Sequence, residues 1–246
     1  MEHQTNVARL SAFYIPSIWN REFIYHYYYF NDLKKIFDKY VKIGDKVFDI
    51  GCGNKPFESY IRQLTHEKAS DFYQGCDVVQ SSEHKVDLIC QATNIPVESS
   101  QYNIVICTQV IEHVFNHLKI FEEAFRLLKS DGIFIVSSNF VWRMHEVPYD
   151  YYRFTRFAFQ SLLTNAGFEI LEEKANGGKW SVLGQLFLHI SLSEYNPKDF
   201  FIKRKIKTLI RRLSIYLCNN LVRLLENKNC DSSEYTLNYI FIARKK

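Results

Sequence analysis

The sequence has no run of the roughly 18 apolar residues that a helix needs to cross a bilayer. Its first residues, MEHQTNVARLSAFYIP, carry neither a basic start nor a sustained apolar core, so no secretory signal is expected and the chain reads as cytoplasmic. Six cysteines, at 52, 76, 90, 107, 218 and 230, include no C-x-x-C pair and no Cys/His spacing suited to zinc. Reduced thiols fit best, and the first four fall in or beside apolar runs, where cysteine acts as a small buried hydrophobe. Strong charge is missing as well. The net charge is +4, and the excess sits in KDFFIKRKIKTLIRRL (198–213), one helix with a basic side. A nucleic-acid partner would need basic residues along a whole face, with stacking aromatics between them, so that partner is disfavoured. No internal repeat or low-complexity tract is present.

What is abundant is aromatic: 16% of the chain, crowded into EFIYHYYYF (22–30) and into the stretch around 140–159. Most of these rings read as core, with a binding wall as the functional counterpart. At 246 residues and 47% hydrophobic content the chain fits one α/β domain. Leu33, Ile36, Phe37 and Tyr40 predict a helix over 31–41. Short apolar runs then predict strands at 46–50, 72–79, 86–90, 102–107 and 132–138, with a helix over 117–132. A second helix follows Thr155, its expected N-cap, and ends at Gly167 before a strand, FEILEE. The alternation predicts a mostly parallel sheet covered on both faces. We divide the single domain 1–246 into an N-terminal helical segment (1–44), a ligand-binding core (45–175), a basic, amphipathic helical insertion (176–234) and a final strand (235–246).

The first strand runs into a glycine turn, FDIGCGNKPF (48–57). Such a turn lets backbone amides approach a ligand closely. The dinucleotide fingerprint G-x-G-x-x-G fails here because Pro56 stands at its third glycine. The alternative, an acid two residues before the first glycine, is met by Asp49, Gly51 and Gly53. This turn resembles the first signature of the class I S-adenosylmethionine-dependent methyltransferases, with Lys55 in place of a further glycine, and the resemblance continues in order. Asp77 closing YQGCD, the CQATNIP segment (90–96) and YNIVICTQVIEHV (102–114) are similar to the next three blocks. The resemblance covers roughly residues 45 to 173 plus the final strand. It implies a Rossmann-like seven-stranded fold and S-adenosyl-L-methionine as cofactor, held by Asp49, Gly51, Cys52, Gly53, Asp77, Gln91, Ala92 and Gln109. Asp77 would take both ribose hydroxyls, and Gln91 stands where an acid is usual beside the adenine.

After the fifth strand, HEVPYDYYRFT (145–155) lies at the carboxyl edge of the sheet, where open α/β folds bind ligands. Asp150 and Arg153 read either as a brace for this loop or as part of a catalytic group. His145 is expected to accept the proton of an acceptor hydroxyl, since its unperturbed pKa lies near neutrality. The block resembles one found in a branch of these methyltransferases associated with bacterial surface glycans, which implies a glycan acceptor. A small metabolite, a lipid headgroup or a non-catalytic binding module are the alternatives. His113 and His117 lie four apart, but with no third ligand in view no metal is expected. Residues 198–225 are expected either to pack on their own domain with a solvated basic side or to touch an anionic membrane.

Overall fold

The computed structural model describes residues 15–192, 201–226 and 234–246. Seven strands form one sheet in the order β3-β2-β1-β4-β5-β7-β6. They are β1 (Val47–Ile50), β2 (Tyr73–Asp77), β3 (Leu88–Ile89), β4 (Tyr102–Thr108), β5 (Leu128–Asn139), β6 (Phe168–Asn176) and β7 (Asn238–Lys245). β7 pairs antiparallel with both neighbours, and the other pairings are parallel. β1 is central: Phe48 sits opposite Gln74 on one side and Val105 on the other.

Because side chains alternate across a strand, the sheet feeds two separate cores. Val47, Ile104, Ile106, Ile135, Ile240 and Ile242 pack on one face, with α1 (Phe23–Tyr40), Ile61 of α2 (Glu58–Thr65), α5 (Lys179–Ser191) and α6 (Phe201–Leu225). Phe48, Ile50, Val105, Cys107, Val136 and Phe241 face the opposite way, onto α3 (Leu118–Leu127) and α4 (Arg156–Asn165). Two helical layers around one sheet is thus the architecture expected.

Thr155 Oγ1 accepts from the Ala158 N–H at 3.2 Å, capping α4, and Gly167 follows the helix with φ +92. Several expected bounds change. α1 begins at Phe23, eight residues before the predicted start, because the aromatic run is itself helical and buries Phe23, Ile24, Tyr25, Tyr29 and Phe30. α3 ends at Leu127 and β5 begins at once, where Leu128 pairs with Tyr102. β3 keeps only two residues of its expected five. Cys52 lies in the turn after β1 and Cys90 just beyond β3, while Cys76 and Cys107 are in strands.

The insertion is helical as expected. α6 turns Ile215, Asn219 and Val222 toward the domain. Asn219 Nδ2 donates to the carbonyls of Ile18 (2.6 Å) and Asn20 (3.0 Å). A Cβ on Gly184 of α5 would lie 2.3 Å from Val222 Cγ2, so the two helices meet with nothing to spare. Most of the apolar stripe from Ile206 to Leu225 faces outward. Residues 193–200 and 227–233, including the first residues of the basic run, lie outside the described residues, as does Cys230.

Candidate active site

A cavity of 660 Å³ opens at the carboxyl ends of β1, β2 and β4, and Tyr25, His26, Tyr29 and Phe30 of α1 form part of its wall. The glycine turn lies on one side. Gly51 (φ +74) and Gly53 (φ +50) adopt the left-handed conformation. A Cβ on Gly51 would meet Val110 Cγ2 at 2.3 Å, so this backbone is bare by necessity. The amides of Gly51 and Cys52 both donate to the Cys76 carbonyl, at 2.8 and 2.9 Å, tying the turn to β2.

Asp49 lines the cavity yet is 2% exposed. Its Oδ2 accepts from the Tyr73 hydroxyl at 2.6 Å. Burial pushes its pKa from 3.8 up to about 7, against the Tyr73 hydrogen bond and the charge of Lys55, with Asp77 adding a small upward push. Lys55 is buried under the turn, where Nζ donates to Asp87 Oδ2 at 2.5 Å. Cys52 packs against Gly75, where a Cβ would meet its Cβ at 2.5 Å, and burial pushes its thiol up. Asp77 accepts from the N–H of Gly53 (3.1 Å) and of Val78 (2.8 Å). Its carboxylate lines the cavity at the end of β2. Further round the wall, Gln91 is exposed and Ala92 buried. Gln109, with φ +58, donates through Nε2 to Ser137 Oγ at 3.1 Å and leaves its buried Oε1 without a partner. All eight residues expected at the cofactor line this one cavity.

The opposite side is built from the 3-10 turn Ile111–His113 and the loop 140–155. These are stitched together: the Tyr151 N–H donates to the Glu112 carbonyl at 3.0 Å, and the Tyr152 hydroxyl to the Phe115 carbonyl at 3.0 Å. His113, Phe115, Glu146, Tyr149 and Tyr151 line the cavity; His145, Asp150 and Arg153 do not. Arg153 grips Asp150 bidentately, at 2.6 and 2.8 Å, and Asp150 Oδ2 also accepts from the His145 N–H at 3.0 Å. Burial alone would raise the Asp150 pKa, but Arg153 and the His145 amide hold it at about 2. Both residues therefore form the loop brace, one of the two readings the sequence allowed.

The His145 ring stands edge-on behind His113, their centroids 4.7 Å apart. Burial, then the neighbouring His113, hold its pKa below the ordinary value. Glu112 is fully buried, and burial pushes its carboxyl up. Its Oε1 accepts from Asn139 Nδ2 at 3.2 Å, while Oε2 has no hydrogen-bond partner. His117 turns away, its ring against Tyr152 and Phe154.

The sequence offered a binding wall only as the counterpart of core packing for the aromatic run 22–30, and Tyr25, His26, Tyr29 and Phe30 of α1 line the cavity. Sequence reasoning treated His113 as part of a matched block without a role. The adjacent Glu-His pair in IEHV was the available signal.

The arrangement provides a bare turn, a buried acid at the end of β1 and a second acid at the end of β2, which fits a ligand with a cationic end and a diol. Residues 21–173 match the family model described as a methyltransferase domain. No curated protein matches the chain. Among solved structures it is similar to the 1,6-didemethyltoxoflavin-N1-methyltransferase of Burkholderia thailandensis with bound 1,6-didemethyltoxoflavin and S-adenosylhomocysteine. That likeness has 14% identity, a TM-score of 0.53, and covers 87% of this chain and 77% of that one. A SAM dependent methyltransferase from Archaeoglobus fulgidus gives 13% identity, 0.53, and 87% and 94% coverage. The [4+2]-cyclase SpnF gives 15%, 0.53, and 88% and 81%. At such identities the likeness is one of fold, and the cyclase illustrates that a fold does not fix the reaction.

Proposed function

The chain belongs to the family of methyltransferase domains and is an S-adenosylmethionine-dependent enzyme, and we propose that it methylates a sugar hydroxyl of a bacterial glycan or its lipid-linked precursor. Asp49 would pair with the cofactor's amino-acid end, Asp77 with the ribose hydroxyls, and the Gln91–Ala92 segment with the adenine. The bare backbone of Gly51 and Gly53 allows the close approach between them. The cofactor supplies a methyl group already activated by its sulfonium.

The composition of the cavity wall is the observation that favours this acceptor. The acceptor side offers rings of Tyr25, Tyr29, Phe115, Tyr149 and Tyr151, with His113, His26 and Glu146 as polar groups, and among the described residues no lysine or arginine lines it. Rings with hydroxyl rims suit a neutral sugar, apolar on its faces and polar at its edge. An anionic acceptor would meet no lysine or arginine among these lining residues. The protein's main task is alignment, holding the acceptor oxygen behind the methyl carbon, which can supply roughly 7–11 kcal/mol in favourable cases.

Tritium transfer from S-adenosyl-[methyl-3H]methionine to a panel of sugars, nucleotide sugars, amines and carboxylates tests this reading. Label on a sugar oxygen is expected. Label confined to amines or carboxylates would overturn the hydroxyl acceptor while leaving the methyltransferase intact.

A further inference from the structure

Three possible metal ligands from separate parts of the chain converge beside the cavity. Glu112, His113 and His145 each place one donor atom within 4.8 Å of the other two. The surrounding hydrogen bonds settle which imidazole nitrogens carry lone pairs. His113 Nδ1 lies 3.0 Å from the Tyr149 carbonyl, which can only accept, so Nδ1 holds the proton and Nε2 the lone pair. For His145, Nε2 faces the Asn139 amide N–H at 3.5 Å, and Nδ1 faces Asp150 Oδ2 at 3.4 Å. That again leaves the lone pair on Nε2, where a bound ion would replace the long contact from Asn139. Metal-bound histidines are oriented by a carbonyl or carboxylate behind the ring; His113 has this hydrogen bond, while Asp150 lies behind His145 at 3.4 Å without one.

Glu112 supplies the second, independent observation. It is completely buried with Oε2 unpartnered, and a buried carboxylate is costly unless a cation or full hydrogen bonding compensates it. Donors bound at tetrahedral angles to one ion at about 2.1 Å lie about 3.4 Å apart, so the widest pair of the group must close by an ångström or more on binding.

We propose that Glu112, His113 and His145 bind one divalent transition-metal ion whose open positions face the cavity through His113. Two imidazoles and a carboxylate suit Fe2+, Co2+ or Zn2+ better than the oxygen-seeking Mg2+ or Ca2+. The role of this ion rests on the hydroxyl acceptor proposed above: coordination of that hydroxyl acidifies it, its proton passes to water, and the oxygen attacks the methyl carbon. The O–CH3 bond forms as the S–CH3 bond breaks, leaving neutral S-adenosylhomocysteine. His145 then acts as a ligand, and no side chain is needed as base.

Co2+ titration of the chelator-treated full chain, followed by visible d–d absorption, reads binding without turnover. One Co2+ per chain is expected. Glu112→Gln, His113→Ala and His145→Ala should each weaken it at least roughly 100-fold, beyond the 10–100-fold typical of orienting partners. His117→Ala should not. Because Glu112 is buried, the partly exposed His113 keeps the test valid should Glu112→Gln misfold. Absence of d–d bands, or binding indifferent to His113→Ala, would overturn the site. Failure of S-adenosylmethionine to bind would instead overturn the methyltransferase reading.

A second proposal rests on α6. At about 100° per residue, Ile206, Ile210, Leu213, Leu217, Leu221 and Leu224 share one side, opposite the buried Ile215 and Val222, and are 45% to 81% exposed. Lys207 and Arg211 border this stripe on one flank, Lys205 and Arg212 on the other, and α6 has no acidic residue. On the adjoining α5, Leu183, Phe187 and Ile190 are also exposed. We infer that this face lies on an anionic lipid surface, as an apolar stripe with basic borders does. A second copy is opposed by the like charge of the two faces. No helix among the described residues is long and apolar enough to cross a membrane.

Cosedimentation with phosphatidylcholine vesicles, with and without phosphatidylglycerol, tests it. Binding should be at least roughly tenfold stronger with the anionic lipid, weaken with salt, and be lost in Leu213→Glu/Leu217→Glu, both exposed positions. No vesicle binding, or a dimer dispersed by the same substitutions, would overturn the lipid surface.

Discussion

Replacing Asp49 with Asn should stabilise the ligand-free protein while damaging its function, and the size of the gain should depend on pH. Asp49 is buried at the end of β1, with Tyr73 as hydrogen-bond donor and Lys55 nearby, yet burial still carries its pKa from 3.8 to about 7. A raised carboxyl pKa means that the folded state holds a proton which the unfolded state has released. Any stability from this group is therefore present below the unfolded pKa and is lost as pH rises through about 7. The difference of about three pH units corresponds to about 4 kcal/mol, fully expressed only above pH 7. Near pH 5 the unfolded chain has lost its proton but the difference is only about 1.5 kcal/mol by the same linkage. Asn keeps the shape and cannot ionise, so its advantage should grow by roughly 2–3 kcal/mol between those conditions. For a chain of this size that is about 5–10 °C in melting temperature. Melting curves of both proteins near pH 5 and pH 8 check this. An Asp49→Asn gain of equal size at both pH values, or a loss, would refute the assignment of a buried, reluctantly ionised acid. Cofactor affinity of the unmodified protein should rise with pH through about 7, since only the ionised form pairs with a cationic end, and Asp49→Asn should flatten that rise.

Gly51→Ala places a Cβ 2.3 Å from Val110 Cγ2 at φ +74; the backbone cost alone is about 1–2 kcal/mol, and titration calorimetry should show cofactor binding severely weakened. Arg153→Ala strands Asp150, whose side chain is 4% exposed; the loss should be about 3 kcal/mol, at the low end for a broken buried pair because Arg153 is itself partly solvated, as read by denaturant unfolding. Gly184→Ala should cost about 1–3 kcal/mol through overpacking against Val222, measurable in the same way, with cofactor binding retained.

The central architecture was legible because its strands are short, apolar and bounded by turns, and because Asp49, Gly51, Gly53 and Asp77 occupy positions that few other local roles require together. All eight cofactor candidates converge on one cavity. The acceptor side was less legible for a physical reason: its residues come from α1, from the 3-10 turn and from the loop after β5, and no sequence spacing relates them. His113 was paired in the sequence with His117, four residues on, whereas the fold turns His117 onto Tyr152 and brings in His145 from 32 positions away. The orientation of α6 was likewise hidden. Its periodic apolar stripe left packing on the domain and contact with a membrane both open, whereas the helix is held by the smaller set Ile215, Asn219 and Val222 and leaves that stripe outside.

Calorimetric titration of the purified protein with S-adenosylmethionine and S-adenosylhomocysteine, with Asp77→Ala alongside, tests the account most directly. Asp77 holds the Gly53 amide and stands where the ribose hydroxyls would bind. One site per chain for each ligand, severely weakened by Asp77→Ala while the fold persists, is the expected result. A folded protein that binds neither ligand, or binds both equally well after the substitution, would contradict the placement of the cofactor in this cavity.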